Sequence, residues 1–135
     1  MVVDTSALVA ILFQEPDARL YAECLEADPV RLISAANWLE TQIVVNGRLG
    51  PAGGALADSF FRESRLQVVG LDAPHVHAAL AAWQRFGKGR HPAALNLGDC
   101  CAYATAALRR EKLLFKGGDF SRTDAVPAQI GRAHV

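Results

Sequence analysis

No apolar run in this 135-residue sequence approaches the length of a membrane span. Charges interrupt each one well before the roughly 20 residues that a membrane-spanning helix needs. No basic segment precedes an apolar core at the N-terminus, and Asp4 stands where a signal peptide would have to be apolar. The expectation is therefore a soluble protein of the cytoplasm, with no membrane partner. Cysteine is scarce. Cys24, Cys100 and Cys101 form an odd set without zinc-type spacing, which argues against a disulfide scaffold and a thiolate metal centre. Cys100 and Cys101 are neighbours on a predicted helix, so their side chains diverge by about 100°. They read as small buried hydrophobes in a reducing compartment. An excess of charge is also missing: 14 basic and 14 acidic residues cancel. That balance argues against an indiscriminate nucleic-acid binder and leaves room for a local basic patch.

What is present is a globular composition, 51% hydrophobic and 21% charged. The length suits one domain, 1–135, able to bury a substantial core. Val2-Val3 reads as a short buried strand, followed by a helical pattern. A second helix is expected up to Ala27, stopped by Asp28-Pro29. Arg31-Leu32-Ile33 is a second strand, and Ser34 a good N-cap for a helix over Ala35–Leu49. Gly50-Pro51 ends that helix, with Gly53-Gly54 expected in the following loop and a fourth helix over Ala55–Ser64. Leu66–Val69 is the third strand, and Asp72 can cap a helix reaching Phe86. A mobile loop, Gly87–Pro92, leads to an alanine-rich helix over Asn96–Arg110. Leu113–Phe115 is the fourth strand, and the tail from Gly131 should fray. Short strands alternating with helices indicate an α/β fold, a short central parallel sheet flanked by helices on both faces.

Four acids stand at informative places in that pattern. Asp4 falls where the first strand gives way to a helix, and ligand sites of open α/β sheets lie outside the carboxyl ends of strands. A plain helix cap by Asp4, Thr5 or Ser6 explains the same residues. Glu40 shares a helix face with Ala36, Ile43, Val44 and Gly47, where a carboxylate is costly to bury without a partner. The alternative is an edge position reaching solvent. Asp99 follows Asn96 in a capping pattern, yet Ala102, Tyr103 and Ala106 on its face would let the helix pack closely and carry it inward. Asp119 follows the fourth strand after Gly117-Gly118, as an ordinary turn acid would too. Four carboxylates sharing one rim need a strong countercharge, and all-oxygen ligands suit Mg²⁺ or Mn²⁺. Metal-assisted phosphodiester hydrolysis fits such a site and needs no histidine. His75 and His77 point apart on a helix and form no chelating pair.

The ordered set of motifs resembles the PIN-domain family of nucleases, and within it the VapC-type toxins. The likeness rests on Val2-Val3-Asp4-Thr5-Ser6-Ala7-Leu8 and on Glu40 after a short second strand. It rests also on the run from Gly87-Lys88-Gly89 to Gly98-Asp99-Cys100, and on Leu113 to Asp124 with Gly117-Gly118-Asp119 inside it. The resemblance implies a PIN-like three-layer sandwich and a Mg²⁺-dependent endoribonuclease, with Mn²⁺ as a possible substitute. It assigns Asp4, Glu40, Asp99 and Asp119 to catalysis and metal binding, with Asp4 and Asp99 as principal ligands. Ser6, and more weakly Thr5, would support the site. It further implies a structured transfer or ribosomal RNA substrate, a VapB-type antitoxin and a homodimer. Asp124 is an extra acid near the fourth position. Lys88, Arg90, His91, Lys116 and Arg122 are candidates for holding phosphates around the rim, where the bland reading is solvated surface. Two rivals stay open. A phosphatase with a strand-end aspartate nucleophile would want an acid where Ser6 stands. A non-catalytic protein could bind RNA or a partner through the same fold.

Overall fold

Val2 and Val3 are both fully buried and yet face opposite ways, and the layering of the molecule follows from that. In the computed structural model, which describes residues 1–128, they form β1 (Val2–Val3). The other strands are β2 (Leu32–Ser34), β3 (Gln67–Val69) and β4 (Leu113–Leu114). The sheet runs β3-β2-β1-β4, and every pairing is parallel. Val2 is in register with Leu32 and Leu113, and Val3 with Leu114. Successive side chains of a strand point to opposite faces. Val2, Leu32 and Leu113 therefore belong to one core, and Val3, Ile33 and Leu114 to another.

Helices cover both faces. The first core is closed by α5 (Ala73–Phe86) and α6 (Leu97–Arg109), which contribute Ala79, Ala82, Phe86, Ala102 and Ala106. The second is closed by α1 (Thr5–Leu12), α2 (Ala18–Ala27), α3 (Ala35–Leu49) and α4 (Pro51–Glu63), through Leu8, Tyr21, Leu25, Val45 and Ala57. The result is the three-layer α/β arrangement expected from the strand and helix pattern. A 3-10 turn, Phe120–Arg122, follows β4. Among the described residues no helix is long and apolar enough to cross a membrane.

The helix starts are chemically marked, as expected. Ser34 accepts from Asn37 N at 3.0 Å, Asp72 accepts from His75 N at 3.2 Å, and Asn96 heads a capping box with Asp99. One expectation fails: Gly53 and Gly54 lie inside α4 rather than in a loop before it. Gly50, at φ +68°, ends α3, and Pro51 starts α4 at once, where its missing N–H costs nothing. Gly53 is needed for contact rather than for a turn. A Cβ there would stand 2.6 Å from Val45 O and 2.8 Å from Leu49 Cβ, so glycine lets α4 lie directly on α3. The expected fraying from Gly131 concerns residues outside those described.

Candidate active site at the carboxyl ends of the strands

Because all four strands are parallel, their carboxyl ends share one rim. Asp4 leaves β1 there, with its N–H donating to Leu114 O at 2.9 Å. It is only 3% exposed. Its Oδ2 accepts from Ser6 N at 3.0 Å and from Ser6 Oγ at 2.5 Å. Both sequence readings are therefore true: Asp4 caps α1, and it is a buried acid at a strand end. Burial pushes its carboxyl up to about 6 against the lowering effect of the two Ser6 bonds, and the charges of Asp99 and Glu40 add to the rise. Ser6 does more than cap. Its Oγ also accepts from Lys116 N at 2.9 Å, joining Asp4 to the loop after β4.

Asp99 also has two attachments. Its Oδ2 accepts from Asn96 N at 3.0 Å, completing the capping box, while its half-buried carboxyl faces the other acids. Burial raises its pKa, the Asn96 bond opposes this, and Asp119 and Glu40 push it up further. Glu40 arrives from α3, but not for the reason its own helix face suggested. Ile43 and Val44, on that face, are exposed. Glu40 is half-buried because α6 lies against it: a Cβ on Gly98 would stand 2.7 Å from Glu40 Oε1 and 2.8 Å from Oε2.

Two residues that the sequence reading passed over hold this junction. Gly98 is one. The other is Asn37, fully buried at the start of α3. Its Nδ2 donates to Gly98 O at 3.0 Å and to Thr5 Oγ1 at 3.2 Å, and its Oδ1 accepts from Ser34 Oγ. Thr5 Oγ1 in turn donates to Asn37 O at 3.3 Å. Thr5 thus acts at the α1–α3 contact, one residue from Asp4, rather than on a carboxylate. A glycine in a helix's first turn and an amide three residues after a capping serine were the available signals.

The segment after the fourth strand places its two acids in different surroundings. Asp119 is exposed and lies close enough to raise the pKa of Asp99. Asp124 points elsewhere: it accepts from Tyr103 Oη and pairs with Arg85 Nη2 at 3.3 Å. The basic candidates divide. Lys116 is committed, with Nζ 2.5 Å from Glu15 Oε1 and 3.0 Å from Asp17 Oδ1. His91 is half-buried edge-on to Phe86, and its Nδ1 accepts from Ala93 N at 3.0 Å. Lys88, Arg90 and Arg122 are exposed. Arg90 lies over the Trp83 ring, and Arg122 Nη1 donates to Pro92 O at 3.3 Å, beside the same loop. That loop is closed at its neck, where Lys88 N donates to Leu95 O at 2.9 Å and Leu95 N to Phe86 O at 3.0 Å.

The chemistry of the rim is that of oxygen donors. Among the described residues no ion pair reaches Asp4, Glu40, Asp99 or Asp119. Nor are three acid, histidine or cysteine side chains gathered there into a ready-made metal cage. The four acids instead form an open rim whose mutual repulsion favours a bound cation. Thiolate chemistry does not compete, since burial, helped by Asp99, pushes Cys100 up to about 11. His75 is buried against Asp72 Oδ1 at 2.5 Å while His77 is exposed, so they form no pair.

The PIN domain profile matches residues 1–126. Ribonuclease VapC30 of Mycobacterium tuberculosis is 47% identical over 124 residues, covering 92% of this chain and 95% of that protein. A ribonuclease VapC of Mycolicibacterium smegmatis is 49% identical, covering 92% and 96%. The chain belongs to the PIN-domain family, among its VapC ribonucleases.

Solved PIN-domain structures agree on the fold. The crystal structure of Mycobacterium tuberculosis VapC20, a toxin that cleaves the sarcin-ricin loop, superposes with a TM-score of 0.75 at 20% identity over 93% of this chain and 95% of that one. A toxin–antitoxin complex from Klebsiella pneumoniae gives 0.68 at 23% identity over 93% of each chain. VapC ribonucleases of the PIN family generally depend on a divalent metal, and an all-carboxylate rim is a donor set that fits one. Placing Asp119 beside Asp99, and Asp124 on Tyr103, separates two variants. Asp119→Asn is expected to slow RNA cleavage roughly tenfold, about 1.4 kcal/mol of transition-state stabilisation. Asp124→Asn is expected to leave cleavage unchanged and to lower stability by up to about 1 kcal/mol. Cleavage rates and urea melts of the two proteins check this, and equal rates for both would refute the assignment.

Proposed function

We propose that this chain is one PIN domain, 1–135, acting in the cytoplasm as the Mg²⁺-dependent endoribonuclease toxin of a type II toxin–antitoxin pair. The observation that carries the proposal is Asp4. It is a carboxylate 3% exposed at a strand end, ringed by the charges of Asp99 and Glu40 and without a basic partner among the described residues. In this proposal Asp4 and Asp99 are the principal ligands of Mg²⁺, with Mn²⁺ able to replace it, and Glu40 and Asp119 complete the quartet. The ion, when bound, supplies a polarised water and a countercharge for the leaving oxygen. Ser6 holds Asp4 Oδ2 in place and fixes its orientation relative to the loop after β4.

The substrate proposed is a structured transfer or ribosomal RNA, whose single-stranded loops expose backbone and bases to a shallow rim. The exposed Lys88, Arg90 and Arg122 are the side chains proposed to meet phosphates, Arg90 from its place over Trp83 and Arg122 from its bond to Pro92 O, with His91 near them. Lys116 would have to leave Glu15 and Asp17 first. A VapB-type antitoxin is the partner proposed to silence the enzyme. That two of the similar proteins are VapC ribonucleases and one similar structure is a toxin–antitoxin complex supports it. A homodimer is the proposed assembly.

The test is incubation of the purified protein with total cellular RNA in Mg²⁺, in EDTA, and as the Asp99→Asn variant. Discrete fragments are expected only from the unaltered protein with Mg²⁺, and their ends identify the target. Cleavage by Asp99→Asn at the full rate would sink the site assignment.

A further inference from the structure

The junction of α3 and α6 has features that capping and packing leave unexplained. Glycine is a poor residue for the first turn of a helix. Yet Gly98 stands there, buried, with its Cα against the Glu40 carboxylate. Any side chain would meet Glu40 Oε1 at 2.7 Å, Oε2 at 2.8 Å and Cδ at 3.0 Å. All three are the far end of a flexible side chain, so an added Cβ would displace the carboxylate rather than the backbone. The peptide on which Glu40 rests is fixed in turn, because Gly98 O accepts from Asn37 Nδ2 at 3.0 Å. Asn37 lies one turn before Glu40 on α3. The other hydrogen of the same amide group goes to Thr5 Oγ1 at 3.2 Å, next to Asp4. One buried carboxamide thereby bonds beside Asp4 and beside Asp99 from the helix that carries Glu40.

We propose that Asn37 and Gly98 form a clamp that sets the spacing of the acid rim: Asn37 fixes α1 and α6 against α3, and the missing side chain of Gly98 admits the Glu40 carboxylate beside Asp99. Both are positioning residues, since neither presents a group to RNA or to the reacting atoms. The inference rests on the proposed metal-dependent function and concerns how the ligands are held. It distinguishes two kinds of loss. Gly98→Ala moves a carboxylate at small cost to the fold. Asn37→Ala loosens three elements at once.

The test titrates EDTA-stripped protein with Mn²⁺ by calorimetry, alongside thermal melts in EDTA and steady-state RNA cleavage. Removing a residue that orients a metal ligand typically costs ten- to a hundredfold in affinity or activity. Gly98→Ala is expected to weaken Mn²⁺ binding about tenfold and to lower kcat similarly, with KM and the EDTA melting point nearly unchanged. Glu40→Asp is expected to weaken binding in the unaltered protein. In the Gly98→Ala background it is expected to restore binding, because the shorter side chain withdraws from the new methyl group. Asn37→Ala is judged against Thr105→Val, which removes another buried helix bond, Thr105 Oγ1 to Cys101 O at 2.9 Å, one that does not tie α6 to α1 or α3. Both should melt earlier, and only Asn37→Ala should lose Mn²⁺ affinity. Unchanged Mn²⁺ affinity in Gly98→Ala, or equal affinities in Asn37→Ala and Thr105→Val, overturns the clamp while the metal site stands. Failure of the unaltered protein to bind Mn²⁺ overturns the metal site and the clamp with it.

Discussion

Asp4→Asn is expected to reduce RNA cleavage about a thousandfold, the loss of roughly 4 kcal/mol of transition-state stabilisation from the carboxylate proposed as a principal metal ligand. The fold should survive, and the reason is local. Asparagine is as good an N-cap as aspartate, and its Oδ1 can still accept from Ser6 N and Oγ. What disappears is a buried charge that the protein holds at a cost. With Asp4 raised to about 6 from an ordinary 3.8, ionising it inside the fold costs on the order of 3 kcal/mol relative to the unfolded chain. The metal-free variant should therefore be more stable than the unaltered protein at neutral pH. Single-turnover cleavage and urea unfolding in EDTA, on the same preparation, read both effects. Full cleavage, or a variant less stable than the parent, would contradict the role given to this carboxylate.

The second large effect is the dependence of stability and metal binding on pH. Asp4 binds its proton more tightly folded than unfolded, so between about 4 and 6 the native state holds more protons. Its contribution is fully present below the unfolded pKa and is lost as pH rises through about 6. Asp99, raised by burial with Asp119 and Glu40 adding to it, has the same sign. Asp124 is held low by Tyr103 and Arg85, and Asp28 is lowered because the Met1 amine and Val30 N outweigh its burial. Those two contribute in the opposite direction, losing stability as pH falls. Subtracting the Asp4→Asn protein isolates the Asp4 component, expected to change by about 2 kcal/mol from pH 4 to 7 in EDTA. A divalent ion needs the ionised carboxyl, so Mn²⁺ affinity should drop as pH falls through about 6. A difference between the two proteins that is flat with pH would show that Asp4 is not buried and charged as described.

Much of this was open to inspection in the chain itself. Val2-Val3, Leu32-Ile33 and Leu113-Leu114 are adjacent apolar pairs, and adjacent residues of a strand face opposite sides. The pairs thus required cover on both faces of the sheet. Ser34, Asp72 and Asn96 marked helix starts because capping is a short-range interaction between neighbours in sequence. The order of Asp4, Glu40, Asp99 and Asp119 along strands and helices was likewise a local property.

Only the tertiary structure decided which groups meet. Parallel pairing brought Asp4 to Leu114 at the ends of β1 and β4, and α6 brought Asp99 to Glu40, joining residues 110 and 59 positions apart in the chain. Asp119 and Asp124 look equivalent in sequence and are separated by where Tyr103 and Arg85 stand. Gly53 and Gly98 are both glycines of close approach, one admitting a helix and the other a carboxylate, and what each admits comes from a distant segment. Asn37 resembles any polar residue near a helix start until its amide is seen to reach Thr5 and Gly98. Propensity, capping and strand alternation act between neighbours, so a sequence states them directly. Burial, charge repulsion and steric admission act between surfaces, and those exist only once the chain has folded.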